Sequence, residues 1–308
     1  MSESNMQMCP VVSVTVRPRN GEAAERLQTA LAEIEGQDPT AEIRADSANA
    51  QFVVAGTSES HLESVCDRVE GDYAISIDVS EPKVLYLETI RKAAEGEGKY
   101  IRQTGGAGNY GHCKLRVEPG DPGKPYEFVN KLKGGAVPEK FIRSIDEGAR
   151  GALASGILAG YPLVDVKVTL FDGSYHEVDS NEMAFKFAGS IAVKEAAREA
   201  SPALLEPVMA IQSAATENMA GAVIRDINAR RGRIEEIEGQ GLQIIHAIVP
   251  LSELLSTSTH GRPDYEMRFA GYEAVSAHGD DDESGVTANS PRLPDLGRGS
   301  AAADLDFE

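Results

Sequence analysis

Cysteine is rare in this sequence, which has three among its 308 residues. Cys9, Cys66 and Cys113 are far apart and odd in number, so they indicate neither a disulfide framework nor the close pairs of a zinc-binding knuckle. No apolar run approaches the roughly 18 residues of a membrane-spanning helix. The start, MSESNMQMCP, lacks the basic and then apolar segments of a secretory signal. We therefore expect a cytoplasmic protein with no membrane partner, no bound metal and no cofactor.

Basic residues are outnumbered, because 30 Lys and Arg stand against 49 Asp and Glu and give a net charge of -19. This charge argues against indiscriminate binding of nucleic acid, since contacts to phosphate require a basic face. A local basic face on an acidic chain remains compatible with the composition.

The phosphate-binding consensus GxxxxGK(S/T) does not occur in the sequence. Gly98-Lys99 is followed by Tyr100, and Gly123-Lys124 is followed by Pro125, so neither lysine precedes a hydroxyl that could bind a metal ion. A guanine-reading motif of the NKxD type is also absent. We therefore expect that this chain neither binds GTP nor acts as an enzyme, and we assign no catalytic residues.

The last 33 residues differ in composition from the rest of the chain. Residues 276–308 contain eight acids against two arginines and almost no large apolar side chains. Such a segment buries too little surface to offset the entropy of ordering. We predict a disordered acidic tail over 276–308 and a flexible N-terminus over 1–9.

Two regions have a similar order of predicted elements. Over residues 10–80, β-branched runs alternate with helical spacing in the order β-α-β-β-α-β, which is the split βαβ or ferredoxin-like arrangement. Ser60 followed by Glu63 is typical of a capping box at the second helix. Residues 204–275 repeat most of this order, but only 251–255 stand where a full second helix is expected.

The intervening region, 83–203, predicts an α+β domain of its own. The patterns predict strands at 86–90, 113–119, 127–130 and 163–171, with glycine-rich sequence between the first two, and long helices at 138–154 and 182–200. Asp179 or Ser180 is expected to cap the second of these helices. The fold class is therefore α+β, with two ferredoxin-like domains flanking an α+β domain.

Two loops of the middle region are candidates for binding. Four glycines within residues 105–111 leave backbone N–H groups uncovered and allow close approach to phosphates, sugars or bases. A flexible hairpin tip explains the same pattern. His176 lies on the other loop, where it is either a ligand-binding or a solvated imidazole. The candidates are Gln103, Thr104, Gly105, Gly106, Ala107, Gly108 and His176.

An arginine cluster follows the helix predicted at 218–230. Arg225, Arg230, Arg231 and Arg233 either interact with the helix C-terminus or contact backbone phosphates, and the sequence favours neither alternative. His112 and Cys113 are adjacent on a predicted strand and therefore point to opposite faces. We interpret both as strand residues, neither catalytic nor metal-binding.

In this order, the segments resemble the C-terminal three domains of elongation factor G. The resemblance covers about residues 10–273 and rests on these motifs: EPKVLYLETI (81–90), QTGGAGNYGH (103–112), YEFVN (126–130), KGG (133–135), LAGYP (158–162), GSYHEVD (173–179), LLEPVM (204–209), RRG (230–232) and VPLSE (249–253).

The resemblance implies the family's third domain over 10–80, its fourth over 83–203, with a ribosomal protein S5 domain 2-like fold, and its fifth over 204–275. It also implies that the GTPase domain and the following β-barrel are absent. In the family, loops at the tip of the fourth domain contact the codon–anticodon duplex in the decoding site. The matching positions here are Gln103, Thr104, Gly105, Gly106 and His176.

The sequence departs from the family's pattern at four places, the first being SESHL (58–62) where the family usually has Gly-Glu-Leu-His-Leu. Thr104 stands where the family usually has Ser, and Ala107 replaces a usual Arg, which should weaken the affinity for RNA. About six residues are missing between Glu253 and Gly261, where the family has a helix that faces the large-subunit factor site.

We hypothesise an accessory translation factor without a GTPase, which occupies the decoding or translocation site and binds rRNA and the tRNA–mRNA complex. The alternative is a protein-interaction module that pairs with a separate translational GTPase or another protein and does not bind RNA directly. A third option is an enzyme that uses His112, His176 and Asp179 in acid–base chemistry.

Overall fold

The computed structural model describes residues 10–20, 23–46, 51–102, 108–121, 124–255 and 266–275. Within these residues the chain is mixed α+β and forms three β-sheets, which confirms the predicted fold class. The predicted flexible N-terminus and acidic tail lie outside the described residues. None of the helices in the described ranges is long and apolar enough to span a membrane.

The first sheet has the ferredoxin-like strand order β2-β3-β1-β4. Its elements are β1 (Val12–Pro18), α1 (Ala24–Gln37), β2 (Glu42–Asp46), β3 (Gln51–Gly56), α2 (Glu59–Gly71), β4 (Ile77–Val79) and the added β5 (Lys83–Val84). All pairs are antiparallel, with Val14 opposite Val54. The buried Val12, Val14 and Val16 of β1 pack in one core with the buried Leu27, Leu31 and Ile34 of α1.

The cap of α2 differs from the prediction. Ser58, which is extended, accepts a hydrogen bond from His61 N at 3.1 Å, whereas Ser60 lies inside the first helical turn. The capping-box prediction for Ser60 is therefore wrong. His61 Nε2 lies 2.8 Å from Asp38 Oδ2, and Asp38 also accepts hydrogen bonds from Thr40. This contact joins the start of α2 to the end of α1.

Asp38 is expected to make the stability of this unit dependent on pH. The hydrogen bond from the Thr40 hydroxyl is the main cause that lowers the pKa of Asp38 from 3.8 to about 2, with His61 contributing and burial opposing. A lowered pKa stabilises the fold above the unfolded value, and this stabilisation is lost as the pH falls towards about 2. We expect Asp38→Asn to lower the free energy of unfolding by about 2 kcal/mol at pH 6.

Urea denaturation of wild type and variant at pH 6, 4 and 2 measures this effect. The difference between the two proteins should shrink towards zero at pH 2. Asp67→Asn, at an exposed position of α2, is the matched control and should behave like wild type. A wild-type-to-Asp38→Asn difference that does not change with pH would contradict the assignment.

The middle unit contains a four-stranded sheet in the order β7-β8-β10-β9, in which β9 and β10 are parallel and the other pairs antiparallel. Its elements are β6 (Leu87–Ile90), β7 (Ala94–Arg102), β8 (Asn109–Pro119), β9 (Tyr126–Asn130), α3 (Glu139–Ala154), β10 (Val166–Ser174) and α4 (Glu182–Glu199). The two helices pack together on the sheet, and Phe141 stacks on Phe185 with ring centroids 4.6 Å apart.

Strand β7 was not predicted, because its glycines resemble a loop pattern. Gly96 and Gly98 instead lie directly under α4, and a Cβ at Gly98 would overlap Ala188 O. Gly111 of β8 meets the same helix at Ala184. These glycines serve the close approach of α4 to the sheet, which fixes the helix against the strands that carry the candidate loops.

The third sheet repeats the ferredoxin-like order as β12-β13-β11-β14, and β6 pairs with the first residues of β11. Its elements are β11 (Pro202–Thr216), α5 (Glu217–Ala229), β12 (Arg233–Glu238), β13 (Leu242–Pro250), α6 (Leu251–Leu255) and β14 (Glu266–Ala274). Helix α6 is short, as predicted. The first and third units share one hydrophobic core, and the middle unit has a separate one.

Candidate nucleic-acid interface

The start of β8 and the loop that follows β10 meet at one end of the middle unit. We call residues 103–108 the first tip loop and residues 175–181 the second tip loop. Gly108 N donates to Asp179 Oδ1 at 2.9 Å, and Tyr110 N donates to the carbonyl of Asp179 at 2.8 Å. Asn181 Nδ2 donates to Asn109 Oδ1 at 2.6 Å. The start of β8 is therefore bonded to the second tip loop at three points.

The structure describes only some of the first-tip-loop residues that the sequence analysis proposed for binding. Gly108 is the one that lies within the described residues, and a Cβ there would lie 3.1 Å from the Asp179 carboxyl carbon. Gln103, Thr104, Gly105, Gly106 and Ala107 lie outside the described residues. The loop follows Arg102, the last residue of β7, and ends at Gly108, directly before β8. Strands β7 and β8 are paired with each other.

His176 lies exposed on the second tip loop, with 57% of its side chain accessible. Its Nδ1 accepts hydrogen bonds from Val178 N and Asp179 N at 3.4 and 3.3 Å. In the neutral ring, the proton is then assigned to Nε2, which can donate outwards. Asp179 Oδ2 lies 3.2 Å from Nδ1 and can pair with the protonated ring. The loop therefore presents an oriented imidazole.

The cap of α4 also differs from the prediction. Asn181 Oδ1 accepts a hydrogen bond from Ala184 N at 2.9 Å, so the prediction of Asp179 or Ser180 as the cap is wrong. Both residues hold the loop instead: Asp179 binds the first tip loop, and Ser180 Oγ accepts a hydrogen bond from His176 N at 2.9 Å. Sequence reasoning missed this role, although several Asp and Asn side chains at loop ends were a usable signal.

A row of hydrogen bonds supports the loops from the sheet. Tyr110 Oη and His112 Nδ1 lie 2.8 and 2.7 Å from Ser174 Oγ, and His112 Nε2 lies 2.7 Å from Glu97 Oε1. The row crosses β7, β8 and β10 just below the loops. His112 and His176 have separate hydrogen-bond partners, so the described contacts do not join them into one acid–base pair with Asp179.

Cys113 occupies the opposite face of β8 from His112, as predicted. It is fully buried, and burial raises the pKa of its thiol to about 12. A neutral buried thiol is inert. Among the described residues, no group of three or more His, Cys, Asp or Glu side chains is arranged to hold a metal ion.

The arginine cluster is largely engaged by carboxylates. Arg231 binds both carboxylate oxygens of Glu206 at 2.8 and 2.9 Å and also reaches Glu253. Arg230 pairs with Asp226 at 2.9 Å, and Arg233 with Glu273 at 3.2 Å. Arg225 lies on α5. These contacts make the cluster a structural junction of the third unit, and contact with phosphate stays a prediction.

The charge of the chain is unevenly distributed. Residues 83–203, which carry the tip loops, contain 17 Lys and Arg against 16 Asp and Glu, whereas residues 10–82 contain 5 against 14. The acidity therefore resides outside the middle unit. A nearly neutral unit can approach a polyanion that the acidic remainder of the chain would repel.

Three family models match consecutive parts of the chain. They are "Elongation Factor G, domain III" over residues 9–81, "Elongation factor G, domain IV" over 82–201 and "Elongation factor G C-terminus" over 203–282. Together with the fold, these matches define a translation-factor-like protein. The chain belongs to the elongation factor G family, which confirms the resemblance seen in the sequence.

A solved structure gives the same picture. The chain is 38% identical to a protein of Thermus thermophilus whose crystal structure it matches with a TM-score of 0.66. The match covers 87% of this chain and 41% of the Thermus protein. The chain thus spans less than half the length of this structural relative.

Proposed function

We propose that this protein is an accessory translation factor that binds the ribosome through the tip loops and acts by occupying the decoding or translocation site. It carries out no chemical step of its own and binds no GTP, because the sequence contains no GxxxxGK(S/T) motif. The bonding of Asp179, on the second tip loop, to Gly108 and Tyr110 at the start of β8 is the observation that carries the proposal. It makes one rigid, polar end on a unit without excess negative charge.

The ligand of the tip loops would be rRNA together with the tRNA–mRNA duplex. Backbone N–H groups of the glycine-rich loop and the outward Nε2 of His176 are donors suited to 2′-hydroxyls and phosphates, which report helix shape and not sequence. Ala107 supplies no cation, so binding should be weaker than with an arginine there. Arg225 would add a phosphate contact, and Arg230, Arg231 and Arg233 would do so only where their carboxylate partners release them.

The test is co-sedimentation of the full chain with 70S ribosomes and subunits at low salt. We expect His176→Ala combined with Gly105→Pro to weaken this binding about tenfold, because each loop loses a donor or its backbone freedom. His246→Ala, on β13 of the third unit, is the matched control and should bind like wild type.

Three outcomes would contradict the proposal. A wild-type protein that stays in the free fraction does not bind the ribosome, and a double variant that binds unchanged does so without the tip loops. Purified protein that hydrolyses GTP unaided would also contradict it.

The second candidate is a protein-interaction module that pairs with a separate translational GTPase or another protein without binding RNA. The acidity of residues 10–82 favours it, since this unit repels nucleic acid and suits a basic protein surface. A pull-down from cells distinguishes the two candidates. A stoichiometric protein partner without rRNA would favour the module, whereas rRNA that is lost in the double variant would favour the translation factor.

A further inference from the structure

An aromatic pair lies at the base of both tip loops. Tyr100, near the end of β7, stacks on Phe187 of α4 with ring centroids 4.9 Å apart and an angle of 26° between the planes. The first tip loop begins three residues after Tyr100, and the second tip loop ends one residue before α4. The pair is therefore continuous with the candidate interface.

The surroundings of this pair are unusually apolar for a surface. Met183, Phe187 and Ile191 are between 42% and 62% exposed. Met183, Phe187 and Ile191 follow one another at four-residue spacing and so lie along one face of α4. A contiguous exposed patch of large apolar side chains marks an interaction surface.

Cations border the patch. Arg102 lies two residues after Tyr100 on β7 and so on the same face, Lys186 lies one helical turn from Met183, and Lys194 lies one turn from Ile191. Of the three acids on α4, Glu195 accepts a hydrogen bond from Glu97 N at 2.9 Å, Glu182 lies next to Met183 at the start of the helix, and Glu199 lies two turns beyond Ile191. The charge next to the apolar side chains is thus weighted towards positive.

We infer that this face, centred on Tyr100 and Phe187, binds single-stranded RNA. Proteins that bind single strands combine aromatic rings, on which bases stack, with cations that follow the phosphates. Phe187 offers the base its exposed side while Tyr100 supports the other side, and Arg102, Lys186 and Lys194 contact the backbone. The inference rests on the proposed function and deepens it: the duplex contacts the tip loops, and the strand leaving it lies on this face.

The test is fluorescence anisotropy of the full chain with a labelled single-stranded RNA of about twelve nucleotides at low salt, within the range of site sizes known for such binders. Phe187→Ala should weaken binding at least about fivefold, and Phe187→Trp should restore it. Met219→Ala, an exposed apolar residue of α5, is the matched control and should bind like wild type. Circular dichroism confirms that each variant is folded.

Equal binding by wild type and Phe187→Ala would overturn the inference, as would wild-type protein that fails to bind the RNA. A protein partner captured by wild type and lost in Phe187→Ala, without RNA binding, would assign the face to a protein. Ribosome sedimentation separates the two proposals. If the protein binds single-stranded RNA through Phe187 but does not bind ribosomes, only the proposed function is overturned. If it binds ribosomes but its binding of single-stranded RNA does not depend on Phe187, only this inference is overturned.

Discussion

Arg231→Met is expected to lower the free energy of unfolding by about 3–5 kcal/mol. Arg231 holds Glu206 with two hydrogen bonds, and the Glu206 side chain is only 4% exposed. Ser252 Oγ donates to the same carboxylate at 2.9 Å. Methionine fills much of the space of the arginine but leaves a buried negative charge without its cation, which is among the most destabilising changes in a protein interior.

Denaturation with urea, followed by circular dichroism, measures this loss. Arg233→Met is the matched control, because Arg233 makes an exposed pair with Glu273 and should contribute far less. Adding Glu206→Gln to Arg231→Met removes the unpaired charge and should recover part of the stability. A variant Arg231→Met that unfolds like the control would show that Glu206 is not held by this pair.

The role of Arg231 could not be predicted from the sequence, for a physical reason. Its partners Glu206 and Glu253 lie 25 and 22 residues away, and only the pairing of β11 with β13 brings them together. The local sequence showed a cluster of arginines after a helix. It did not decide between interaction of these arginines with the C-terminus of the helix and contact with backbone phosphates. The structure adds a third role, in which the cluster fastens α6 to the sheet.

Elements with a clear hydrophobic period were predictable, and those shaped by close packing were not. The pattern of α3 predicted its bounds within one residue, because one face is buried throughout. Strand β7 was missed because Gly96 and Gly98 break the strand pattern, and they are there to admit α4. The glycines of β7 are therefore explained by the close packing of a helix that comes about 90 residues later in the chain.

The candidate site was predictable as two loops but not as one constellation. Glycine content and His176 indicated loops that could bind a ligand, and only the family resemblance indicated that they lie together. Asp179 was interpreted as a cap, because an acid before a helix usually is one. Its contact with Gly108, 71 residues earlier, depends on the register of β8 against β10.

Glu88→Gln is expected to destabilise the protein at least as strongly as Arg231→Met. Glu88 is fully buried in β6, and its carboxylate accepts five backbone N–H groups. The donors, 2.6–3.1 Å from its oxygens, are Ile157, Leu158, Ala159, Gly160 and Tyr161. Glutamine replaces one accepting oxygen with an NH₂ group that faces these donors, so at least two of these partly buried N–H groups lose their acceptor, at about 1–3 kcal/mol each.

The position of Glu88 extends this loss beyond the loop at 157–161. Its main chain also bonds to Pro162 and Val164, and β6 pairs with β11 of the third sheet. The carboxylate therefore connects the end of α3 to the strand that joins the middle and third units. Urea denaturation should show a loss of about 3–5 kcal/mol, the sum of the lost hydrogen bonds, and hydrogen exchange should show faster exchange at the five amides. Glu95→Gln, on the exposed side of β7, is the matched control.

The Glu88→Gln variant distinguishes two contributions to ribosome binding: the anchoring of the middle unit that carries the tip loops, and the contacts of the tip loops with RNA. The described contacts of Glu88 include no residue of either tip loop, and a folded Glu88→Gln protein still carries every donor that we propose for RNA. If the loops act from a rigidly held middle unit, this variant should bind ribosomes more weakly than wild type while its binding of short single-stranded RNA stays unchanged. Ribosome binding equal to that of wild type, in a variant whose five amides exchange rapidly, would show that the anchoring of β6 does not govern how the loops are presented.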